Sequence, residues 1–385
     1  MSKPDRINPP FRADHVGSLL RPEQLKEARQ RAGLELASTA EAQGEASITM
    51  DELHAIEDSC IRDIVAFQQE IGLKSITDGE FRRGSWAYDA TANIDGVVLK
   101  RQDKALDASF SKTGFRPPIA HTIGKLGRKP GGIVLDQFQF TQGLTDQTVK
   151  ITMPSPSLMY VRGGRKSVSE DIYPDIEEFF EDLCQVYRDE LADLYAAGCR
   201  YAQIDNTDAA LLCDPKFQEQ SRQQGLEPEE AIRLQGRLIS GATRDRPDDM
   251  AVSMHLCRGN NAGAWLAEGD YEFVAESLFS DFDVDAFFLE YDSERAGDFA
   301  PLRHAPRDKL IVLGLVTTKT PENDSKDDLL RRIEEASAYV PVENLALSPQ
   351  CGFASTARGN PITFDDQQRK LELILEVAHE VWGET

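Results

Sequence analysis

The sequence predicts an α/β fold, a (β/α)8 TIM barrel with an N-terminal helical extension and an insertion after the second strand. Eight short apolar segments recur along the 385 residues, each followed by a stretch whose apolar residues have helical spacing. Near-continuous apolar strands are typical of a parallel sheet that is covered on both faces. Eight strand–helix alternations favour a closed barrel, with a doubly wound open sheet as the alternative.

The eight predicted strands share one feature, which is a polar residue at or near the end of each apolar run. In chain order they are FRADHVGS to Ser18, LKSITDGE to Glu80, VKITMPSP to Pro156, CRYAQIDN through Asp205, DMAVSMHLC to Cys257, DAFFLEYD through Glu290, KLIVLGLVTTK to Lys319 and ENLALSPQC to Cys351. Residues at the carboxyl ends of barrel strands face the active-site mouth. The sequence therefore predicts that these polar residues meet at one end of the barrel.

Helices are predicted between the strands and before them. Residues 20–50 are expected to be helical and to lie outside the repeating unit, and Asp51 and Glu52 introduce an early helix. The stretch 174–198 begins at a proline and stops at a glycine, which is the usual asymmetry of helix ends. Residues 326–339 have the same spacing, as do residues 363–382, for which Thr363 is a predicted N-cap.

Residues 91–148 interrupt the alternation, and we interpret them as an insertion between the second and third strands of one catalytic domain, 1–385. Two turn segments, RPPIAH and RKPGGI, punctuate this stretch. The alternating run IVLDQFQFTQ, residues 133–142, predicts part of a hairpin. The insertion could cover the barrel mouth or mediate self-association into a homo-oligomer, and a surface excursion without such a role is an equal alternative.

Composition narrows the class of protein. The net charge of −23 argues against a nucleic-acid partner, since phosphate binding calls for basic patches. The sequence has no apolar run near the roughly 18 residues that span a bilayer, and its first residues lack the apolar core of a secretory signal. Six cysteines without C-x-x-C spacing are typical of a reducing compartment. We expect a cytoplasmic protein without membrane or nucleic-acid partners.

An H-x-C pair, His255 and Cys257, ends the fifth predicted strand. Residues two apart on a strand point to the same side, so the imidazole and the thiol can converge on one ion. Glu290 and Cys351 end two later strands. One histidine, one carboxylate and two thiolates form a four-coordinate set that suits zinc better than magnesium or calcium. A histidine and a cysteine near a strand end are more often ordinary core residues, and that alternative stays open for the pair alone.

Seven segments, spread over nearly the whole chain, resemble the catalytic barrel of the cobalamin-independent methionine synthase family. The resemblance is to short, single-barrel members that lack the duplicated N-terminal barrel. The matching segments are DHVGSLLRP, ITDGEFRRGSW, YVRGG, IDNTDAALL, MHLCRGN, FLEYDSERAG and SPQCGF. The combination of H-x-C, a later glutamate and the C-G-F cysteine is the most specific part of this pattern.

The resemblance implies a zinc-dependent methyltransferase that forms methionine from homocysteine and a methyl donor. It implies metal ligands at His255, Cys257, Glu290 and Cys351. It also implies that Ser18 holds the homocysteine carboxylate and that Glu80 and Asp205 hold its ammonium group. Zinc suits this chemistry because a free thiol is only about 3% thiolate at pH 7, and the thiolate is the nucleophile.

Three positions depart from the family pattern. Leu158 stands where full methionine synthases place a tryptophan against the folate pterin, and Leu211 aligns roughly with an acidic residue that helps to bind folate. Lys319 replaces the histidine that supplies a proton, and it is the tentative catalytic acid of this chain. A lysine could act in this way only if burial lowered its pKa. The thiol part of the site is therefore better matched than the part that binds methyltetrahydrofolate.

Other functions remain as alternatives. One is a zinc-dependent alkyltransferase for another thiol, like the family's epoxyalkane:coenzyme M transferases, but a sulfonate thiol has no ammonium group for Glu80 and Asp205. Another is a non-catalytic barrel with structural zinc, although such sites usually draw their ligands from clustered loops. A zinc hydrolase would need a zinc-bound water and histidine-rich ligation, which two thiolates disfavour. Arg162, Trp86 and Tyr88 are further pocket candidates, and His15 has no assigned role.

Overall fold

The computed structural model describes residues 9–34, 46–100 and 118–385 of the chain. Their sheets contain seven parallel strands that curl into a half-barrel, in the hydrogen-bonded order β1-β4-β5-β6-β7-β8-β9, and a separate antiparallel pair, β2-β3. The strands are β1 Ser75–Ile76, β2 Ile94–Lys100, β3 Ile119–Arg128, β4 Thr148–Pro154, β5 Tyr201–Asp205, β6 Ala251–Leu256, β7 Ala286–Glu290, β8 Leu310–Val316 and β9 Leu345–Pro349. Seven of the eight predicted strands are thus confirmed as strands of one sheet.

The sheet strands are buried on both faces, as their apolar runs predict. Every residue of β5, β6, β7, β8 and β9 is buried. Parallel pairing brings the carboxyl ends of neighbouring strands level, so that Asp205 lies beside His255 in the register, and Glu290 beside Gly314. The fold thereby collects side chains that are far apart in the sequence.

Helices of the described residues pack around this sheet. They are α1 Glu23–Arg31, α2 Met50–Glu70, α3 Tyr88–Thr91, α4 Leu135–Gln142, α5 Leu158–Val161, α6 Ile176–Ala196, α7 Thr207–Leu211, α8 Pro215–Gln223, α9 Pro228–Thr243, α10 Glu272–Asp281, α11 Lys326–Ser337 and α12 Phe364–Trp382. The predicted N-cap is confirmed, because the Thr363 hydroxyl accepts from the Asp366 backbone and the Asp366 carboxylate accepts in return. The expected helical extension is described only in part, since residues 35–45 lie outside the described ranges.

The first predicted strand, residues 11–18, is not a regular strand. Ala13 forms a single parallel bridge to Leu347 of β9, and the chain then turns at Gly17, whose φ is +129°. Asp14 is fully buried in this segment. Its carboxylate accepts hydrogen bonds from Ser75, Lys150 and Tyr201. Side-chain hydrogen bonds to the strands β1, β4 and β5 therefore hold the segment in place, whereas an ordinary strand is held by a series of backbone hydrogen bonds.

Two further expectations were wrong in detail. The run 133–142 is the helix α4 rather than part of a hairpin, and the antiparallel pair is formed by β2 and β3. The sequence also predicts a helix after every strand, but between β7 and β8 the chain forms only the 3₁₀ turns Glu294–Ala296 and Ala300–His304. Gly297 has a φ of +73°, and two prolines follow within ten residues, which disfavours a longer α-helix there. No described helix is long and apolar enough to cross a membrane.

Candidate metal centre and substrate cavity

Three of the four predicted metal ligands converge at the carboxyl ends of two strands. His255 is the penultimate residue of β6, Cys257 is the first residue after that strand, and Cys351 lies two residues beyond β9. All three side chains are buried, and their ligand atoms lie within 4.8 Å of one another. The prediction that these strand ends meet is therefore correct for this set, which we call the His–Cys–Cys set.

The geometry of the His–Cys–Cys set fits a tetrahedral metal. The sulfurs of Cys257 and Cys351 are 3.7 Å apart and both cysteines are free. Two sulfurs bound to one tetrahedral zinc at ~2.3 Å would lie roughly 3.8 Å apart. Both ring nitrogens of His255 are buried without a hydrogen-bond partner among the described residues. A buried imidazole beside two thiols is costly unless something satisfies it, and a soft divalent metal does so.

The two thiols differ in their readiness to ionise. Contact with the Cys257 sulfur, together with the neighbouring His255, holds the pKa of Cys351 well below the usual range of a thiol. The same contact with Cys351, reinforced by burial, raises the pKa of Cys257. The site would therefore hold one thiolate and one thiol. A bound metal cation would favour loss of the second thiol proton as well, because its charge stabilises both thiolates.

Glu290, the fourth predicted ligand, ends β7 but is not within that 4.8 Å group of described ligand atoms. Its buried carboxylate accepts from the Arg258 backbone N–H through Oε2. Oε1 accepts from Arg295 and, at 3.1 Å, from Lys319. Burial opposes ionisation of Glu290, yet the charges of Lys319, Arg295 and Arg258 outweigh it and lower the pKa of this carboxyl to about 2.

Lys319 is a member of this ionic cluster and does not line the cavity that the His–Cys–Cys set lines. Its Nζ also lies 2.9 Å from Oδ2 of Asp292. Burial disfavours the lysine charge, but the carboxylates of Glu290 and Asp292 prevail and raise the pKa of Lys319. This shift is opposite to the one that a lysine needs in order to act as a general acid near neutral pH.

The three predicted substrate-binding residues share one cavity with the His–Cys–Cys set. Ser18, Glu80 and Asp205 line a cavity with a volume of about 250 Å³, which His255, Cys257 and Cys351 also line. The structure thus brings together six of the eight residues predicted from the sequence.

Glu80 and Asp205 form a pair of buried carboxyl groups on this cavity. Oε1 of Glu80 accepts from Thr152 at 2.8 Å, whereas Oε2 has no partner among the described residues. The pKa of Asp205 is raised to about 7, mainly by burial. The neighbouring His255 opposes this shift, and the nearby Glu80 carboxylate adds to it. Burial likewise raises the pKa of Glu80. A cation bound beside both groups would relieve their mutual repulsion.

Backbone conformation supports this arrangement at two positions. Glu80 has a φ of +61°, which is uncommon for a residue with a side chain and costs of order 1–3 kcal/mol. Gly352, next to Cys351, has no side chain, and a Cβ there would lie 1.9 Å from the Ser18 hydroxyl oxygen. The absence of a side chain at Gly352 therefore allows the Ser18 hydroxyl to lie close to this residue, next to Cys351 in the chain.

A second group of lining residues contains or adjoins two of the positions that depart from the family pattern, Leu211 and Leu158. Leu158 is buried in a cluster with Ala87 and Tyr88, against which Trp86 packs, and Leu211 lines the cavity directly. Arg162 is the one lysine or arginine in the described lining. Its guanidinium is fully engaged within the protein, where it donates to Asp208 at 2.9 Å, Tyr88 at 2.8 Å and Thr207 at 3.0 Å.

Sequence reasoning missed three residues that the structure places at or beside the site. Asp292 and Arg295 complete the ionic cluster, and their only sequence signal is that they closely follow Glu290. Gln235 on α9 lines the cavity, is buried, and has an Oε1 atom without a partner among the described residues. His15 lies elsewhere, with Nε2 3.1 Å from the Ser75 carbonyl oxygen, and it does not belong to the described cavity lining.

Comparisons with known proteins show the family to which the chain belongs. Residues 32–378 match the model of the cobalamin-independent synthase catalytic domain. The chain is 42% identical to the uncharacterized protein YxjH of Bacillus subtilis (strain 168), with 97% of this chain and 95% of that protein covered. It is 25% identical to a methionine synthase of Pyrococcus abyssi (strain GE5 / Orsay), with 77% and 76% covered.

A solved structure from Listeria monocytogenes, named as a candidate vitamin-B12-independent methionine synthase, is also similar. It is 37% identical, has a TM-score of 0.75, and is matched over 97% of this chain and 99% of that chain. The chain therefore belongs to the cobalamin-independent methionine synthase family, in its short single-domain form, and this membership supports a methyltransferase of the methionine synthase type.

Proposed function

We propose that the protein is a zinc-dependent thiol methyltransferase that transfers a methyl group to homocysteine and forms methionine. The observation that carries this proposal is one shared cavity: the soft ligands His255, Cys257 and Cys351 and the acid pair Glu80 and Asp205 all line it. A metal centre and an ammonium-binding pair that line the same cavity suit a small amino acid whose side chain ends in sulfur.

The proposed metal ligands are His255, Cys257, Cys351 and, as the fourth, Glu290. A bound zinc would supply a site at which a substrate thiol is held as its thiolate at neutral pH. The two cysteine sulfurs keep such a site electron-rich, since their two negative charges balance that of a divalent ion. His255 contributes a neutral nitrogen from β6, whose buried strand fixes the ring.

Substrate positioning is assigned to the three remaining predicted residues. Glu80 and Asp205 would accept hydrogen bonds from the ammonium group of homocysteine, and the Ser18 hydroxyl would donate to its carboxylate. Arg83 is fully buried, and its Nη1 donates to Thr152 at 3.0 Å, which in turn donates to Glu80. Arg83 and Thr152 thus position Glu80 without contacting the substrate.

In the proposed transfer a carbon–sulfur bond forms at homocysteine while the bond between the methyl group and its carrier breaks. The thiol proton leaves before the transfer, and the carrier atom takes up a proton afterwards. Lys319 was the expected donor of that second proton, but its raised pKa and its bonds to two carboxylates do not favour this step. We leave the donor of this proton unassigned.

We also propose that the seven-stranded half-barrel is completed as a (β/α)8 barrel by residues 11–18. This segment bridges to β9 by its backbone and contacts β1 through the Asp14 and Ser75 side chains. The single-domain organisation over residues 1–385 with 91–148 as an insertion, and the cytoplasmic location, remain predictions.

The test of acceptor choice uses the zinc-loaded protein, homocysteine and 2-mercaptoethanesulfonate. Homocysteine should change the zinc X-ray absorption edge by adding a sulfur ligand, and it should bind tenfold or more tightly than the sulfonate thiol, because a charge-assisted hydrogen bond contributes roughly 1.5–3 kcal/mol. Methionine formation with a panel of methyl donors then identifies the reaction.

Two results would contradict the proposal. Equal binding of the sulfonate thiol would favour an alkyltransferase of the coenzyme M type. Zinc that is tightly held but whose absorption edge does not respond to either thiol would favour a structural metal.

A further inference from the structure

The ionisable side chains that line the cavity beyond the metal centre are mostly acids. Glu80, Asp205 and Asp208 carry carboxyl groups, whereas Arg162 is the one lysine or arginine in the described lining. Arg162 lies 2.9 Å from Asp208, so these two charges offset each other. Homocysteine bound as its thiolate brings one cation and two anions, which leaves the cavity with an excess of negative charge. A methyl donor that enters this cavity therefore meets an anionic surface.

Two lining side chains provide contacts that suit a cation. Gln235 on α9 is 1% exposed, and its Oε1 atom has no hydrogen-bond partner among the described residues. This oxygen is the negative end of the amide dipole, so it attracts positive charge. Trp86 also lines the cavity, and the face of an indole ring attracts cations, quaternary ammonium ions included. Neither contact stabilises an anionic group.

The proton balance of the transfer favours the same class of donor. Lys319, the expected acid, is held by the carboxylates of Glu290 and Asp292, which does not favour protonation of the carrier atom. That proton is needed only where the carrier atom leaves as an anion. A sulfonium or quaternary ammonium carrier leaves instead as a neutral thioether or amine, so it takes up no proton.

We propose that the methyl donor is a small onium cation, a sulfonium or quaternary ammonium compound, and that Trp86 and Gln235 form its subsite in the cavity. The methyl carbon forms a bond to the homocysteine sulfur as its bond to the carrier atom breaks. The electron pair of the broken bond stays on the carrier atom and cancels its positive charge, so the reaction needs no redox partner. Opposite charges cancel in this step, which a cavity of low dielectric favours. This inference rests on the proposed function, because it takes the homocysteine thiolate as the acceptor.

Two measurements on the zinc-loaded protein with homocysteine test the class of donor. Calorimetry compares choline with 3,3-dimethylbutan-1-ol, which has the same shape without the charge, and choline should bind tighter by about tenfold or more. The second measurement supplies trimethylsulfonium or tetramethylammonium as the methyl donor. At least one of them should yield methionine, with dimethyl sulfide or trimethylamine formed in equal amount, and the productive ion distinguishes the two onium classes.

Two variants test the subsite itself. Trp86→Leu removes the aromatic face and Gln235→Met removes the amide oxygen at nearly constant size. Each should weaken choline binding by about fivefold or more, and should change homocysteine affinity by less than about twofold, because neither side chain is proposed to contact homocysteine. If Trp86→Leu does not fold, Trp86→Phe, which keeps an aromatic face, should retain most of the choline affinity, and Gln235→Met still tests the subsite.

The chain offers a matched control in Trp382. Its ring also has an arginine over it, Arg12 at 5.4 Å, as the ring of Trp86 has Arg162 at 6.0 Å. Trp382 lies on α12 and does not belong to the described cavity lining. Trp382→Leu should therefore leave the affinities for choline and for homocysteine within about twofold of the wild type.

The inference is overturned if choline and its uncharged isostere bind equally, if neither onium ion yields methionine, or if both variants bind choline as the wild type does. Any of these results in a protein that binds zinc and homocysteine overturns this inference alone. A wild-type protein that binds no zinc, or no homocysteine, overturns the proposed function and this inference together.

Discussion

The cavity has two groups of lining residues whose polar atoms are used differently. The thiol side consists of Ser18, Glu80, Asp205, His255, Cys257 and Cys351. On it, the nitrogens of His255 and one oxygen of Glu80 are buried without partners among the described residues. The donor side, named after the proposed function, consists of Trp86, Tyr88, Arg162 and Leu211, and Leu158 packs in a buried cluster with Tyr88. There the one guanidinium already has three side-chain partners.

This difference indicates which side of the cavity can distinguish one ligand from another by polar contacts. Unpartnered buried polar atoms disfavour the empty cavity and favour a ligand that completes their hydrogen bonds or coordination. Under the proposed function, the thiol side selects its ligand by charge and by sulfur chemistry. The donor side offers mainly shape and apolar contact, since its one cationic residue is committed to Asp208. A polyanionic donor finds no free cation in the described lining.

The largest expected effect concerns the thiol side. Cys257→Ser combined with Cys351→Ser should abolish zinc binding and methyl transfer while the sheet stays folded, because most of the folding free energy comes from the apolar core. Metal content by mass spectrometry, methionine formation and thermal unfolding check the three parts of this prediction.

Cys60→Ser is the matched control, because Cys60 is also buried and its sulfur accepts from Gln24, as a hydroxyl can. It should retain full zinc. Full zinc occupancy in the double variant would show that the metal, if any, lies outside the His–Cys–Cys set.

The next effect concerns the donor side. Methyltetrahydrofolate triglutamate alone should support methionine formation far below about 1 s⁻¹, the lower end of common turnover numbers. Leu158 offers no aromatic stacking, and loss of a general acid costs roughly 10²–10⁴ in rate. Arg162 is not free to bind the glutamate tail. Initial rates with the triglutamate, the monoglutamate and donors that carry no anionic tail provide the measurement.

Turnover with the triglutamate at ordinary enzyme rates would contradict this view of the donor side. In that case the folate contacts would have to come from residues outside the groups named above. Candidates are Pro118 and Ile119, at and just before the start of β3, which line the cavity and lie in the predicted insertion.

Much of the fold could be predicted because most of the seven sheet strands lie in mainly apolar segments that are buried on both faces. The irregular shape of the first segment could not be predicted, because it depends on the buried carboxylate of Asp14. Side-chain hydrogen bonds to that carboxylate hold the segment where a regular strand would be held by backbone hydrogen bonds. The helix α4 was taken for part of a hairpin because its sequence LDQFQFTQ alternates like a strand. Only its packing, with Phe138 and Thr141 buried, selects the helix.

The candidate site, like the fold, has a part that could be predicted from the sequence and a part that could not. Strand ends predict that His255, Cys257 and Cys351 meet, because parallel register brings the carboxyl ends of strands level. The partners of Glu290 could not be foreseen. Asp292 and Arg295 lie in an irregular connection, and Lys319 reaches them from the next strand end, so only the folded chain shows that they neutralise one another.

The smallest expected effect tests the acid pair by pH, with methionine as the ligand because it has an ammonium group but no thiol proton. Asp205 has a pKa raised to about 7, so its carboxyl group is mostly neutral at pH 6 and ionised at pH 8. Only the ionised form attracts the ammonium group, so methionine should bind about tenfold more weakly at pH 6 than at pH 8, the ratio of the ionised fractions. Asp205→Asn should bind weakly at both pH values and lose this slope. Asp208→Asn should keep the slope, because the Asp208 carboxylate is bound to Arg162 and not to the ligand. Methionine affinity by calorimetry at both pH values decides the point: binding that does not weaken toward pH 6 would remove Asp205 from the ammonium site and leave Glu80 alone in that role.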